Sequence, residues 1–466
     1  MRRRTFLRAF GAGTAGVGTV TSTASAHPLP TNDGTPTTSD STLTGSDVLG
    51  TLDLPGAREL VTSPDGHTAY VATGEGVAFV DVVSPTAPRL IQHRTDLLGE
   101  SEDGPMRIVQ DVAVADDRLL VAGPAHPTEG AHGFVVFDVS DRENPERVLG
   151  YETDTRIHNC DFDGRYAYLT ANGRDGNPLL VVDTDREREV GTWSLFDADE
   201  AWTEAPAGLR PLHDVWVQDG RAYLAYWDAG TWILDVSDPA DISLVSRVRG
   251  REPSELSAIE DPGLERTEPP GNDHFVTVND DATLLGVGGE SWDRGGDGSG
   301  GPSGIELFDI SEPTAPESLA TIDPPPTSDP SPGGVLTTAH NFELTDGRCY
   351  SAWYMGGVRV HNLSDPADPR EVFAWRDSES TSFWTAQRGT GCFLASNTNA
   401  NAGSEAQPGV YVFPNPRIEP PTGTAEAVGG DSSLVGAAGD GFGIAAALAA
   451  LAGVGLAGLS GRNRDS

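Results

Sequence analysis

The chain has 466 residues, with 70 Asp+Glu against 31 Lys+Arg and a formal net charge of −39; it contains no lysine, so every basic residue counted is arginine. Such an excess of acid repels nucleic acid and anionic lipid, and the missing lysine excludes Schiff-base and P-loop chemistry. With 37% hydrophobic residues and 9 Trp the chain still has the apolar mass for a folded core, and a surface this acidic suits very high salt, where screening removes the self-repulsion.

Residues 1–26 read as an export signal. Arg2, Arg3 and Arg4 precede Phe6 and Leu7, and a weakly apolar stretch runs to Ala24-Ser25-Ala26. These are the charged, apolar and cleavage regions of a signal peptide, and the paired arginines before Phe-Leu resemble a twin-arginine signal. Residues 27–46 are expected to be a disordered polar linker. The body, 47–416, is a repeat array treated below. Residues 417–440 are an acidic Pro/Gly-rich linker. The segment 441–459 contains Phe442–Leu459, 18 residues without a charge, long enough at ~1.5 Å per residue to cross a bilayer core. Arg462 and Arg464 make 460–466 a cytoplasmic tail, so the body is expected on the extracellular face of the membrane, anchored at its C-terminus. The GDGFG–apolar–Arg pattern resembles archaeal surface-sorting tails, with Asp440 where their proline stands. The lysine-free acidic composition resembles that of halophilic archaeal proteins.

Within the body, apolar strands recur, closed by Asp and often a Ser-x-Pro turn: VAFVDVVSPTAP, FVVFDVSDRENP, LLVVDTDRE, TWILDVSDPADI, IELFDISEPTAP and VRVHNLSDPADP. A seventh, VYVFPNP, keeps the strand and loses the Asp. Each follows a pair of strands around a polar turn, as in VWVQDGRAYLAYW, and helical periodicity is absent. Four short strands per unit predict propeller blades. The last unit lacks an outer strand, and the orphan strand in DVLGTLDLPG (47–56) supplies it. The reading is an all-β, seven-bladed β-propeller of four-stranded blades, closed by the N-terminal strand joining the last blade. FVVFDVS, LLVVDT and TWILDVS resemble the LVIVD repeat, a propeller family of bacterial and archaeal surface proteins. The resemblance implies the fold and leaves function open.

Aligning the first strand of each unit by its turn brings out a pattern. His213, His274 and His340 each sit six residues before the turn and His158 five before it. Gln110 and Glu59 take the position in the first two units. Matching Cys392 to Cys349 puts Phe383 there in the seventh. The innermost strands line a propeller's channel, so these residues are expected on one ring at its mouth. Four imidazoles with a carboxylate suit a divalent metal, zinc or copper; a structural histidine copied with the repeat accounts for them equally well. The strand-end residues Asp81, Asp138, Asp183, Asp235 and Asp309 are expected to hold turns. The cysteines show no metal spacing, and a Cys349–Cys392 disulfide is not expected.

Long segments (123–133, 193–211, 249–272, 289–304 and 323–338) fall on the face carrying the ring, and the opposite face has tight turns. Long loops on one face are where binding residues sit. Trp227, Asp228, Glu290 and Trp292 join Glu59 and Gln110 as candidate ligand contacts, with metal contacts from His158, His213, His274 and His340. His126 and His132 are weaker candidates in a loop. The expected function is an exported, tethered propeller binding a protein or small-molecule ligand on its looped face, with a candidate metal site at the channel mouth. A zinc- or copper-dependent oxidoreductase or hydrolase and a cell-envelope scaffold without a site are the alternatives.

Overall fold

The computed structural model describes residues 47–270, 272–296, 298–399 and 406–417. Residues 1–46 and 418–466, which hold the expected signal, most of the linkers, the membrane span and the tail, lie outside them. Among the described residues no helix is long and apolar enough to cross a membrane.

The described chain forms seven four-stranded antiparallel sheets. Blade 4 shows why. Its strands Asp214–Gln218, Arg221–Ala225, Thr231–Asp235 and Ser243–Arg247 are joined by short turns. The first turn, Asp219-Gly220, has positive φ at both residues (51° and 73°), the two-residue hairpin geometry that Asp-Gly favours. At the end of the third strand Asp235 Oδ1 accepts from Ser237 N at 2.9 Å and Ser237 Oγ at 2.6 Å. Asp81, Asp138, Asp183 and Asp309 hold the equivalent turns the same way. In blades 1 to 6 the pairing between third and fourth strands slips by one residue midway, a bulge that increases strand twist.

The last blade pairs Phe383–Arg388, Cys392–Asn397 and Gly409–Pro414 with Gly50–Asp53 from the other end of the body, Leu52 opposite Val410. Leu54, Leu60, Val80, Leu394 and Val412 pack this blade onto blade 1. The first strands of successive blades touch in order, and the last touches the first, so they surround a channel. The three cysteines are free and buried.

Buried carboxylates clamp neighbouring blades along that channel. Asp111 Oδ2 accepts from Cys160 N at 2.6 Å, Asp161 Oδ2 from Val217 N at 2.5 Å and Asp214 Oδ2 from Val276 N at 2.9 Å. Glu343 Oε2 accepts from Arg388 N at 2.5 Å. Desolvation pushes Asp111, Asp161 and Glu343 up to about 7, against the pull of these hydrogen bonds.

The turn aspartates behave oppositely. Asp183 accepts from Arg165 Nη2 at 2.7 Å and from Asp185 N and Arg186 N at 3.1 Å, and the Arg165 contact holds its carboxyl below the usual range. Asp183→Ala should therefore cost about 1–3 kcal/mol in urea unfolding at neutral pH. Because the folded pKa is depressed, that difference should be full above pH ~4 and fade as pH falls through the folded value. Equal unfolding midpoints for the two proteins at neutral pH would refute this role.

Candidate metal centre at the channel mouth

Each of the three ring histidines outside blade 5 extends its innermost hairpin, His213 by one residue and His158 and His340 by two. His213 N donates to Ala225 O at 2.8 Å, His340 N to Ala352 O at 3.0 Å and His158 N to Thr170 O at 3.4 Å. In blade 5 the pairing slips between Asp273 and Phe275, leaving His274 on the bulge. The same bonding pattern corrects two other ring positions. In blade 1 Arg58 N donates to Ala72 O at 2.9 Å, so Arg58 stands at the histidine level and Glu59 one layer beneath. The cause is a longer turn: Ser63 bonds Thr68 across four residues, where blade 4 turns in two between Gln218 and Arg221. In blade 7 the slip between Phe383 and Thr385 puts Trp384 at the ring, and Phe383 is buried in an apolar cluster. Cys392 is paired opposite the last residue of its third strand, Pro414, and Cys349 opposite the next-to-last, His361, so matching them shifts the blade by one residue.

The four histidines line one cavity of about 270 Å³ with Glu59, Gln110, Trp227 and Glu290. The chain also brings His126, Tyr354 and Trp384 to it. His126 comes from the 123–133 loop, its ring centroid 5.1 Å from that of His158. Asp228 and Trp292 are placed elsewhere. Asp228 is buried with both carboxylate oxygens unpartnered, which pushes it up to about 7, and Trp292 N donates to Thr267 O at 3.0 Å. Trp227, Glu290 and Tyr354 occupy the same turn in blades 4, 5 and 6. Trp227 (φ 36°) and Tyr354 (φ 47°) have left-handed backbones, costly for bulky side chains. Both are held by bridges to the next blade, Trp227 to Asp273 and Tyr354 to Phe383.

Hydrogen bonds decide where the imidazole protons lie. His158 Nδ1 is 2.9 Å from Ala125 O, His213 Nδ1 2.6 Å from His274 O and His340 Nδ1 2.6 Å from Trp384 O. A carbonyl only accepts, so each Nδ1 carries hydrogen and, in the neutral ring, each Nε2 is a bare lone pair. Yet His158 Nε2 lies 2.8 Å from His213 Nε2, and His274 Nε2 lies 3.2 Å from His340 Nε2. In the first pair two lone pairs face each other, which is repulsive unless a proton or a cation lies between them. Protonation is opposed by burial, which lowers His158 to about 4 and His340 to about 3 and holds His213 and His274 well below the usual value.

A metal fits better. Nitrogens about 2.0 Å from one ion stand roughly 2.8 Å apart at a square edge and 3.3 Å at a tetrahedral one. Among the described residues, the one group of three or more ligand atoms all within 4.8 Å of each other is His274, Glu290 and His340. His274 Nδ1 is 3.3 Å from Glu290 Oε2 without a hydrogen bond. Tyr354 Oη donates to Glu290 Oε1 at 2.5 Å, and desolvation pushes Glu290 up to about 7. Imidazole and carboxylate without thiolate suit zinc or copper. Beneath, Asn341 donates to the Glu59 carboxylate and Asn159 Nδ2 to Asp214 Oδ1 at 3.1 Å, so the layer under the histidines is already bonded.

The LVIVD repeat family matches residues 212–249, the blade that opens on His213. No curated protein matches the chain. Among solved structures, the β-propeller domain of Cps50 (Swd1) from Myceliophteria thermophila aligns with a TM-score of 0.52 at 9% identity, covering 79% of this chain and 99% of that one. As many as 1161 solved chains match, so the likeness speaks for the fold alone.

The tautomers are directly observable. In protein treated with chelator, the imidazole nitrogens of His158 and His340 should keep the neutral Nδ1–H pattern in ¹⁵N NMR from pH 8 down to pH 5, below the ordinary histidine value of about 6.5. Titration of either ring near pH 6.5 would contradict the buried, carbonyl-bonded geometry.

Proposed function

We propose that this LVIVD-type propeller is exported, tethered to the membrane by its C-terminal segment, and carries a zinc or copper ion in the histidine cluster of its looped face, where a small ligand or partner binds. The observation that carries the metal reading is the facing pair of His158 and His213, whose Nε2 atoms lie 2.8 Å apart while each Nδ1 is committed to a carbonyl. Beside that pair, His274, His340 and Glu290 form a second group of donors within 4.8 Å of one another. Carbonyl acceptors on Nδ1 orient the rings and raise Nε2 basicity, the outer support that metal-binding histidines use. A bound ion there would supply Lewis acidity, or electron transfer if it is copper. The protein's own part is positioning: Tyr354 holds Glu290, and the ring lies where five long loops can close around a ligand. Support for export and tethering comes from Arg2–Arg4 and from the uncharged Phe442–Leu459 stretch.

Protein purified from its native membrane without a histidine tag should contain near-stoichiometric zinc or copper by mass spectrometry, and His340→Ala should lower it at least tenfold. Metal-free wild-type protein of full stability would overturn the metal reading. Unchanged metal with a lowered melting temperature in His213→Ala would leave that histidine a structural role.

Tethering is tested separately. Cells expressing the full chain should hold it in the membrane fraction, open to protease added outside. A chain ending at residue 440 should appear in the medium. Retention of both forms inside the cell would refute export and anchoring together.

A further inference from the structure

A second cavity, of about 440 Å³, adjoins the histidine site and shares His126, His158, His213 and Trp227 with it. Its lining contains Arg156 and Arg266 and no aspartate or glutamate. That is unusual in a chain with 70 acidic residues. The four other cavities described each include carboxylates: Asp280 in one, Asp111 in two and Glu146 in the fourth. Both arginines are half-buried. Neither guanidinium makes a hydrogen bond or an ion pair among the described residues. Their neighbours Arg174 and Arg251 are paired with Glu189 and Glu265.

Trp227 lines the same cavity. Trp227 Nε1 is buried without a hydrogen-bond partner, on a residue whose backbone is held at φ 36°. The two unpaired guanidiniums stand beside an apolar wall of Ala125, Pro127 and Pro211, with Asn172 Oδ1, also without a hydrogen-bond partner, on a residue of the same lining.

We infer that this cavity binds a small organic oxyanion, a carboxylate or phosphonate on an aromatic or apolar body, with the anionic group on Arg156 and Arg266. The body lies against Trp227 and the prolines, and its far end reaches His158 and His213. The inference names the ligand class of the site proposed above and rests on that site being the functional one. The anion contacts themselves need no metal. At high salt long-range attraction is screened to roughly 3 Å, so selection falls to direct guanidinium–oxyanion bonds, which are short and bidentate.

Benzoate, benzamide and benzylamine are the probes, titrated by calorimetry and tryptophan fluorescence at one fixed, high potassium chloride concentration. The expected result is saturable benzoate binding, at least tenfold tighter than benzamide, and none for benzylamine. Arg156→Gln and Arg266→Gln should each weaken benzoate about tenfold, the loss of one charge-assisted contact. Exposed Arg370→Gln should not, and thermal melts establish that each variant is folded. Benzamide binding as well as benzoate, absence of benzoate binding in the wild type, or folded Gln variants of unchanged affinity would each overturn the inference. Titrations of chelated protein separate it from the metal reading. Benzoate binding to a protein that never holds metal sinks only the metal, and a metal-loaded protein indifferent to benzoate sinks only the anion pocket.

Discussion

Pairing of Gly50–Asp53 with Gly409–Pro414 is the contact on which the site depends. Without it the seventh blade exposes a strand edge, and the first blade is held beside the last only by apolar packing and by contacts such as Thr390 N to Gly66 O and Thr62 Oγ1 to Arg388 O. With it, the first strands form a closed ring, and the residue entering each must share one narrow space with six others. Convergence of four histidines from separate blades follows from that closure. No local property of HDVWVQDG or HNFELTDG brings them together.

Convergence has an electrostatic cost, and the two layers meet it differently. The carboxylates beneath the ring accept backbone N–H groups of the next blade or amide side chains, so they serve as inter-blade clamps even as burial pushes them toward the neutral form. The imidazoles of His158, His213 and His340 also bond backbone, through Nδ1, but this turns their lone pairs inward. One layer is therefore satisfied within the protein, and the other is satisfied at its edge and strained at its centre. Structural polar networks are normally closed, and an open one at the end of a channel is where a ligand belongs.

The fold was legible because the blades repeat the same local chemistry: an apolar third strand in all seven, and an Asp that caps the turn after it in the first five. The four histidines were legible because the hairpins of blades 3, 4 and 6 share a two-residue turn and, in blade 5, the bulge at His274 offsets a longer one. Glu59 and Phe383 were misplaced by one residue where that regularity fails. The turn of blade 1 has two extra residues, hidden in a count back from Asp-Gly, and blade 7 has a bulge at Trp384 that matching Cys392 to Cys349 does not reveal. His126 was undervalued because a loop gives no register. Asp228 and Trp292 were overvalued because sharing a turn with a lining residue does not turn the side chain inward. The arginine-lined cavity had no signal of its own, as Arg156 and Arg266 lie in different connections and meet only in the folded ring.

An acidic surface keeps the protein hydrated in salt but makes it a poor host for anions, since carboxylates crowd nearly every concavity. A site for an anion must then be cleared of acid locally and must work at contact range. The 123–133 and 193–211 loops do this around His158 and His213 by contributing proline, alanine and glycine to the wall, and Asn172 and Asn177 add amide groups. On the opposite side of the same histidines, Glu290 and Glu59 keep the cavity acidic. The imidazoles thus lie on a boundary, with carboxylates that favour a cation on one side and guanidiniums that favour an anion on the other. A metal drawn to the first side and an oxyanion held on the second would meet at His158 and His213, so the two parts of the site support each other without sharing a single ligand atom.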